Sequence, residues 1–305
     1  MTGTVGEALR AATRRLAAAG YAASDAEELL SRLLGVGRGE LRRMEQRALP
    51  AASATTFAAQ LERREAGEPV QYITGRAAFR AIDLMVDRRV LVPRPETEGL
   101  VESVLEYLGR GDWSARSPRV LDLGTGSGCI ALAIAQEHPL ASLTATDASE
   151  DALAVARANA AALGLAARVT FAHGAWLAAV DADERFDVIV SNPPYIAARE
   201  ADALPADVRE WEPHGALFSG EDGFSDLREI VDDAPRHLLT GGLLALELAE
   251  SRASEVAGWL AGARDWREVE LREDLAGHPR VLLARRERGP AIAPAQWGEE
   301  RSGPA

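Results

Sequence analysis

Beyond residue 96, short apolar runs alternate with helical stretches, and this alternation restricts the fold more than any other feature of the sequence. Apolar runs of strand length predict β-strands, and the longer stretches with helical periodicity between them predict helices. The predicted strands cover residues 119–123, 142–146, 168–171, 186–190, 243–248, 268–271 and 281–284. The clearest helices are predicted over residues 130–137, 150–163 and 221–239. Such alternation favours an α/β fold, in which helices cover both faces of a mainly parallel sheet.

The first 75 residues differ in both pattern and charge. Leucines recur there at three- and four-residue steps with Arg and Glu between them, which predicts helices only. The net charge is +1 up to Gly75 and −14 beyond it. We therefore predict a helical domain over 1–75, a linker over 76–95 and an α/β domain over 96–287. The linker alternates in a way compatible with a β-hairpin, and a Gly/Pro/Ala-rich tail over 288–305 is predicted to be disordered.

Composition excludes several classes of function. The net charge of −13 counts against a general DNA or RNA binder, because nonspecific binding depends on basic side chains displacing counterions from phosphate. Lysine is absent, which removes P-loop, Schiff-base and kinase lysine chemistry. The single cysteine, Cys129, allows no internal disulfide and is predicted to be a small core residue. With no apolar run of signal-peptide or membrane-spanning length, we expect a cytoplasmic monomer with no membrane partner and no stably bound nucleic acid.

A glycine-rich turn follows the first predicted strand. Gly124, Gly126 and Gly128 alternate in it, and glycines let a chain turn sharply and let a ligand approach the backbone. A dinucleotide-binding turn would need a third glycine at position 129, where Cys129 stands; the alternate spacing instead resembles that of S-adenosylmethionine-dependent methyltransferases. The second strand ends at Asp147, about where nucleotide-binding α/β units place a carboxylate for ribose hydroxyls. Together these features predict an adenosine-containing ligand across the ends of the first two strands.

The fourth predicted strand runs into Asn192, Pro193, Pro194 and Tyr195, here called the NPPY loop. The prolines stiffen the loop and lack N–H groups, so their carbonyls remain available as acceptors. Asn192 adds an amide, and Tyr195 offers a flat face for a planar group. These groups suit the gripping of a planar –NH2 through its two hydrogens. Two acceptors would raise electron density on a poorly nucleophilic nitrogen and aim it at an activated methyl group, without a dedicated strong base.

Several segments together carry a family resemblance. They are GEPVQYITG at 67–75, LVPRPETE at 91–98, the glycine turn, VSNPPY at 190–195 and EPHGAL at 212–217. From about residue 67 to 285 the chain closely resembles the release-factor glutamine methyltransferases, the HemK/PrmC family. NPPY alone is shared with methyltransferases that act on adenine or guanine amines, whereas its combination with PRPETE is much more specific.

The resemblance implies a class I methyltransferase fold with a seven-stranded sheet and a helical N-terminal domain. It implies transfer of methyl from S-adenosyl-L-methionine to the N5 amide nitrogen of the glutamine in the Gly-Gly-Gln motif of peptide chain release factors. The implied cofactor-binding residues are Gly124, Thr125, Gly126, Ser127 and Gly128 beside the methionine part, Asp147 on the ribose, Trp176 on the adenine, and Asn192. Asn192, Pro193, Pro194 and Tyr195 would hold the glutamine amide, with Asn192, Pro193 and Tyr195 as the catalytic set. The N-terminal helices and the linker would help to dock the protein substrate.

One departure from the family pattern concerns adenine. The family commonly has an acid immediately before the adenine-side tryptophan, whereas this chain has Ala175, and Asp181 or Asp183 is the candidate replacement. His214 is interpreted as a residue that orders its loop.

The PRPETE segment (residues 93–98) has two interpretations. It is either a rigid junction that caps the following helix or part of the site entrance, where an Arg94–Glu98 ion pair would hold the entrance shut.

Two rival functions stay open at this stage. One is a nucleic-acid amine methyltransferase acting on adenine N6 or guanine N2. The other is a non-catalytic S-adenosylmethionine-binding adaptor.

Overall fold

The structure, a computed structural model, describes residues 3–287. The predicted disordered tail, residues 288–305, lies outside the described residues. Within residues 3–287, none of the helices is both long enough and apolar enough to cross a membrane.

Helices alone occupy the N-terminal part of the chain. They are α1 (Val5–Ala18), α2 (Ala23–Leu34), α3 (Arg38–Arg43), α4 (Ala51–Glu65) and α5 (Val70–Thr74). The first begins with a capping box, in which the Thr4 side chain accepts from the Glu7 backbone N–H and the Glu7 side chain accepts from the Thr4 N–H. Their apolar faces meet in a core of their own that includes Leu16, Leu29 and Leu41.

A short hairpin and one helix lead from these helices to the sheet. Strand β1 (Arg76–Phe79) pairs antiparallel with β2 (Ile82–Met85), and α6 (Thr97–Gly109) follows the PRPETE segment. Phe79, Ile82 and Leu84 of the hairpin are buried in the same apolar cluster as the inner face of α6. The hairpin is therefore packed against the α/β part of the molecule.

The remaining chain forms a seven-stranded sheet with helices on both faces. The strands are β3 (Arg119–Leu123), β4 (Ser142–Asp147), β5 (Val169–His173), β6 (Phe186–Ser191), β7 (Leu238–Glu247), β8 (Trp266–Glu273) and β9 (Pro279–Arg286). The helices are α7 (Cys129–Glu137), α8 (Glu150–Ala162), α9 (Ala206–Trp211), α10 (Ser225–His237) and α11 (Glu250–Gly262). Short 3-10 helices lie at Trp176–Ala179, Ala198–Ala203 and His214–Ala216.

The strand order predicts a ligand crevice at the carboxyl ends of the parallel strands. The order is β5-β4-β3-β6-β7-β9-β8; the first five strands are parallel, and β9 is antiparallel to both of its neighbours. The chain winds outward from β3 to β5 and then returns to β6 on the other side of β3. Ligands of open α/β sheets bind outside the carboxyl ends of the strands at such a reversal. The predicted α/β class and mainly parallel sheet are confirmed, and each predicted strand overlaps an observed one.

The helix predicted over 221–239 was wrong at both ends, since α10 covers only Ser225–His237. Gly223 has a φ of 81°, which is incompatible with a right-handed helix, and the Asp222 carboxylate accepts from the Phe224 N–H in a turn before the helix. At the other end, Leu238 already pairs with Phe186 in the sheet. Strand β7 therefore starts before its predicted apolar run, and it bulges around Gly241, whose φ is 78°.

Both faces of the central strands are buried. Val120, Val188 and Ala245 pack beneath α6 and α7, whereas their chain neighbours Leu121, Ile189 and Leu244 pack beneath α10 and α11. A fully buried aliphatic side chain of this size stabilises a fold by about 1.5–3 kcal/mol. Strands held on both faces give the loops at their carboxyl ends a rigid base.

Candidate active site

The glycine turn (residues 124–128) and the NPPY loop begin side by side. Leu123 and Ser191, the last residues of β3 and β6, are partners in the parallel register. The Ser191 hydroxyl donates to the Leu123 carbonyl over 2.7 Å. The two loops therefore open onto the same crevice.

The glycine turn requires its glycines. Gly124, Gly126 and Gly128 have φ values of 69°, 54° and 84°, in the left-handed region that favours glycine. A Cβ at Gly128 would lie 2.9 Å from Leu132 Cδ1, whereas a Cβ at Gly126 would meet no heavy atom within 4 Å. The middle of the turn consequently borders open space, where a ligand can approach the backbone.

A buried acid supports this turn from below. Asp122 Oδ2 accepts from the Thr125 hydroxyl over 2.6 Å and from the Ala131 N–H over 3.2 Å. Complete burial raises the pKa of Asp122 to about 7, against the effect of these two hydrogen bonds. The Thr125 hydroxyl is thus directed into the protein, and its N–H and carbonyl are also hydrogen-bonded, to the Thr146 carbonyl and the Gly128 N–H, so Thr125 holds the turn in shape.

Ser127 is also held from within the protein. Its side chain is buried, and its carbonyl accepts from Asn159 Nδ2 of α8 over 2.9 Å. The same amide accepts from the N–H of Met85, at the end of β2, and donates to the Met85 carbonyl. One side chain thus ties the glycine turn to the hairpin.

Asp147 lies at the edge of the same crevice. Its Oδ2 accepts from the Gly126 N–H over 2.8 Å, and its Oδ1 accepts from the Ser149 N–H over 2.9 Å. Burial raises the pKa of Asp147, and these N–H groups oppose the shift. Each carboxylate oxygen has a second lone pair, so the group can still accept from ligand hydroxyls.

Trp176 forms another wall of the crevice. Its backbone φ is 43°, an uncommon conformation for a bulky residue, and its ring lies against Gly124, where a Cβ would be 3.2 Å from Trp176 Cζ3. The indole N–H donates to Asp226 Oδ1 of α10 over 3.0 Å. Asp226 fixes the ring orientation, yet no motif marked it; an acid in the first turn of α10 was its only signal.

The suggestion that Asp181 or Asp183 replaces the acid missing at Ala175 was wrong. Asp181 lies in a groove with Arg119 and Ser142, which begin β3 and β4 and therefore mark the amino ends of these strands. Asp183 is in the same exposed turn. Because the glycine turn follows the carboxyl end of β3, both acids lie at the wrong edge of the sheet.

The NPPY loop is firmly packed. Pro193 and Pro194 are buried, and Tyr195 packs on the apolar cluster beneath α10. Burial raises the pKa of Tyr195 to about 12, so its hydroxyl is neutral at physiological pH. A Cβ at Gly223 would lie 2.6 Å from the Tyr195 carbonyl oxygen, so the Gly223 backbone is held closely against this loop.

A cavity of about 500 Å³ opens beside the NPPY loop, and all four loop residues line it. Its other walls are mainly apolar. They include Leu91, Arg94, Ile196, Ala203, Leu204, Val208, Ala216, Leu217 and Ala249.

Most of these walls come from one excursion of the chain, residues 197–217, which we call the flap. The N–H of Ile196 donates to the Leu217 carbonyl over 3.1 Å, and Ile196 forms a parallel bridge with Phe218, so the two ends of the flap are joined. His214 lies exposed within the flap, packs edge-on against Phe218 and has its Nε2 3.3 Å from the Arg209 carbonyl. These contacts fit its interpretation as a loop-ordering residue.

The proposed Arg94–Glu98 ion pair was wrong. Arg94 Nη2 instead lies 2.5 Å from Oε2 of Glu212, a buried flap residue, while Glu98 accepts from the Arg80 N–H at the tip of the hairpin. Glu98 is in the first turn of α6 on the side that faces the hairpin, so it is out of reach of Arg94. Burial raises the pKa of Glu212, and the Arg94 guanidinium opposes the shift. The PRPETE segment therefore fastens the flap.

A second set of ion pairs joins the flap to the N-terminal helices. Arg64 of α4 is 2.7 Å from Asp25 of α2 and 3.6 Å from Asp207 in the flap. Arg64 is only 7% exposed, so these contacts are screened little by solvent.

Comparison with known proteins assigns both parts of the chain. Residues 7–75 match the family described as PrmC N-terminal domain, and residues 105–207 match the family described as methyltransferase small domain.

Curated relatives extend over nearly the whole chain. Release factor glutamine methyltransferase of Cereibacter sphaeroides is 46% identical over 92% of this chain and 97% of its own length. The protein of the same name from Moorella thermoacetica is 42% identical over 93% of this chain and 99% of its own length. Among solved structures, the hMettl16 catalytic domain in complex with the MAT2A 3'UTR hairpin 6 matches with a TM-score of 0.54 at 16% identity, covering 80% of this chain and 84% of that one. That likeness concerns the fold alone. By its close relatives and both matched regions, the chain belongs to the release factor glutamine methyltransferase family.

Proposed function

We propose that this protein transfers a methyl group from S-adenosyl-L-methionine to the N5 amide nitrogen of the glutamine in the Gly-Gly-Gln motif of peptide chain release factors. The observation that carries this proposal is the position of the NPPY loop. It leaves β6 directly beside the glycine turn, with the Ser191–Leu123 hydrogen bond between them. Donor and acceptor are thereby brought to one crevice.

The crevice fits the methyl donor. Open space lies over Gly126, with the Asp147 carboxylate at the edge of the turn and the Trp176 ring against Gly124. In this proposal residues 124–128 contact the methionine part, Asp147 accepts from the ribose hydroxyls and Trp176 packs on the adenine. Thr125 takes part by holding the turn in shape, and Asn192 borders the donor. When bound, S-adenosyl-L-methionine supplies an electrophilic methyl group.

The NPPY loop acts on the acceptor nitrogen. A carboxamide nitrogen is a poor nucleophile because its lone pair is delocalised into the carbonyl. The Asn192 side-chain oxygen and the Pro193 backbone carbonyl accept from its two N–H groups, and Tyr195 packs on its planar face, with Pro194 stiffening the loop. Two fixed acceptors direct the lone pair toward the methyl group, so catalysis comes from orientation and electrostatics.

The division of labour along the chain is part of the proposal. Residues 1–75 form the docking domain, 76–95 the linker and 96–287 the catalytic domain. The contacts of Arg64 with Asp25 and Asp207 support this, since they connect the N-terminal helices to the flap over the cavity. A release factor that lies against both would present its glutamine to the cavity, and a single copy of the enzyme suffices.

Peptide mapping tests the proposed function. The enzyme is incubated with a release factor and labelled S-adenosyl-L-methionine, and the label is located by mass spectrometry. We expect one methyl group on the Gly-Gly-Gln glutamine and none on a release factor in which that glutamine is replaced by alanine. Cofactor binding without methyl at this glutamine would refute the proposal. Label on RNA or DNA would favour an amine methyltransferase, and binding with no transfer to any of these acceptors would favour an adaptor.

Two substitutions separate the roles of the loops. Asp147→Ala should weaken cofactor binding by about 1.5–3 kcal/mol, the range for a hydrogen bond to a charged group, as measured by calorimetry. Asn192→Ala should lower turnover strongly and affect cofactor affinity less. Unchanged affinity in the first variant, or equal losses of affinity and turnover in the second, would contradict these assignments.

A further inference from the structure

Two buried polar residues, one of them in the PRPETE segment, meet Asn192 below the NPPY loop. Thr97 is the first residue of α6, and Glu247 is the last residue of β7, the strand next to β6. Each has an exposed fraction of only 2%. Burying a carboxyl group this deeply costs free energy unless hydrogen bonds or an opposite charge offset the cost.

The three side chains lie together, and the hydrogen bond between two of them shows which end of the Asn192 amide donates. Asn192 Nδ2 donates to Thr97 Oγ1 over 3.2 Å. Glu247 follows Leu246, the register partner of Ser191, so its carboxyl group lies beside the Asn192 and Thr97 side chains, while its Oε2 has no hydrogen-bond partner among residues 3–287. Because the Thr97 oxygen accepts from Asn192, its own proton is available for Glu247.

This direction decides which end of the Asn192 amide faces the acceptor. A carboxamide has a donor end and an acceptor end, and here the nitrogen donates to Thr97. The oxygen is then the end left for the cavity that Asn192 lines. In the reverse orientation, the Asn192 N–H groups would oppose the N–H groups of the acceptor, and the clamp would fail.

We propose that Thr97 and Glu247 are positioning residues, which hold the Asn192 carboxamide with its oxygen toward the methyl acceptor; this inference rests on the proposed function. An ionised Glu247 is an acceptor only, so it enforces the orientation. A protonated Glu247 can donate instead, which lets Asn192 turn its oxygen inward.

The charges around Glu247 set the pH at which Glu247 takes up a proton and Asn192 can turn. Burial raises the pKa of Glu247 to about 7; Glu96 raises it further, whereas the polar side chains of Thr97 and Asn192 and the charge of Arg280 in β9 lower it. Two other titratable groups interact with Glu247, Tyr195 and Cys129, and burial raises the pKa of both to about 12. Glu247 is therefore the member of this group that changes charge near neutral pH, and the productive orientation is lost as the pH falls through about 7.

Three variants test the proposal: Thr97→Val, Thr97→Ser and Glu247→Gln. Each is assayed for kcat and KM with a release factor from pH 5.5 to 9. Calorimetry gives its affinities for S-adenosyl-L-methionine and for a Gly-Gly-Gln peptide. The matched control is Ser103→Ala, which removes another buried hydroxyl of α6, one that donates to the Gly99 carbonyl. Thermal melting shows that each variant is folded.

We expect Thr97→Val to lose about tenfold in kcat and in peptide affinity, with cofactor affinity within about twofold of the wild type. Thr97→Ser should recover most of both, and Ser103→Ala should match the wild type. Glu247→Gln should lower kcat at all pH values and remove the fall in rate below about pH 7.

Wild-type kcat and peptide affinity in Thr97→Val would overturn the proposal, as would an unchanged acidic fall in folded Glu247→Gln. Equal loss in Thr97→Val and Thr97→Ser would also overturn it, since the hydroxyl would then not be the active group. Failure of the proposed function is a separate result, because in that case the wild-type enzyme itself leaves the glutamine unmethylated.

Discussion

Replacing Asp122 with asparagine should change how the stability of the protein depends on pH. Burial raises the pKa of Asp122 from its ordinary value of 3.8 to about 7. Between these values the folded protein keeps a proton that the unfolded chain releases, so the free energy of unfolding falls as the pH rises. Roughly three pKa units at about 1.4 kcal/mol each amount to about 4 kcal/mol of stability, present at pH 4 and lost above pH 7. An asparagine does not titrate, so the variant should lack this loss.

The substitution also has a cost that does not depend on pH. Asp122 Oδ2 accepts two hydrogen bonds, whereas Oδ1 has no hydrogen-bond partner in the described part of the chain. The amide nitrogen of an asparagine would occupy that second place, and an unsatisfied buried N–H costs about 1–3 kcal/mol. At pH 5 the variant should therefore be the less stable protein, and by pH 8 the difference should shrink or reverse.

Denaturant unfolding at pH 5, 7 and 8.5, followed by circular dichroism, measures this change. Glu247 titrates in both proteins, so its contribution cancels in the difference between them. An exposed control, Asp181→Asn, should give a curve parallel to that of the wild type. Parallel curves for wild type and Asp122→Asn would refute the reasoning, because Asp122 would then have the same pKa in the folded and unfolded states.

Two further substitutions test how the site is held together. Arg94→Ala should leave Glu212 buried without its cation, which should lower the free energy of unfolding in denaturant by about 3 kcal/mol and speed tryptic cleavage of the flap. As a control, Arg89→Ala at an exposed ion pair should change stability by less than about 0.5 kcal/mol. Equal effects of these two variants would contradict the role of the Arg94 pair. Asn159→Ala removes three buried hydrogen bonds, one of them to the Ser127 carbonyl, and should lower the free energy of unfolding by about 3 kcal/mol and weaken cofactor binding. A loss below about 1 kcal/mol would mean that water replaces this amide.

The fold could be predicted from the sequence where the local pattern determines it. The run from Val120 to Leu123, apolar except for Asp122, and the glycine turn after it favour a buried strand followed by a tight bend. The start of α10 depends on the turn at Asp222 and Gly223; the close packing of Gly223 against the Tyr195 carbonyl, a contact distant in sequence, could not be predicted in this way. The bulge near the start of β7 likewise appears only once β6 lies beside it.

The candidate site likewise has parts that could be predicted from the sequence and parts that could not. The NPPY loop and the glycine turn lie next to each other because of the strand order, which the α/β pattern implies. The hydrogen-bond partners of Arg94, Trp176 and Asn192 do not follow from the strand order, since each partner is at least 50 residues away in the chain. The sequence suggested a pair between Arg94 and Glu98, in the following helical turn, whereas the fold supplies Glu212 from the flap.

The register between β3 and β6 has a consequence for how such enzymes can diversify. Adjacent strands lie about 4.8 Å apart whatever their side chains, so the spacing of the two loop origins is set by backbone geometry. Under the proposed function, mutations in the flap or the N-terminal helices can alter which molecule binds without moving the site of methyl transfer. New acceptors can thus be accommodated by changes in the flap and the N-terminal helices, while the spacing between the origins of the two loops stays the same.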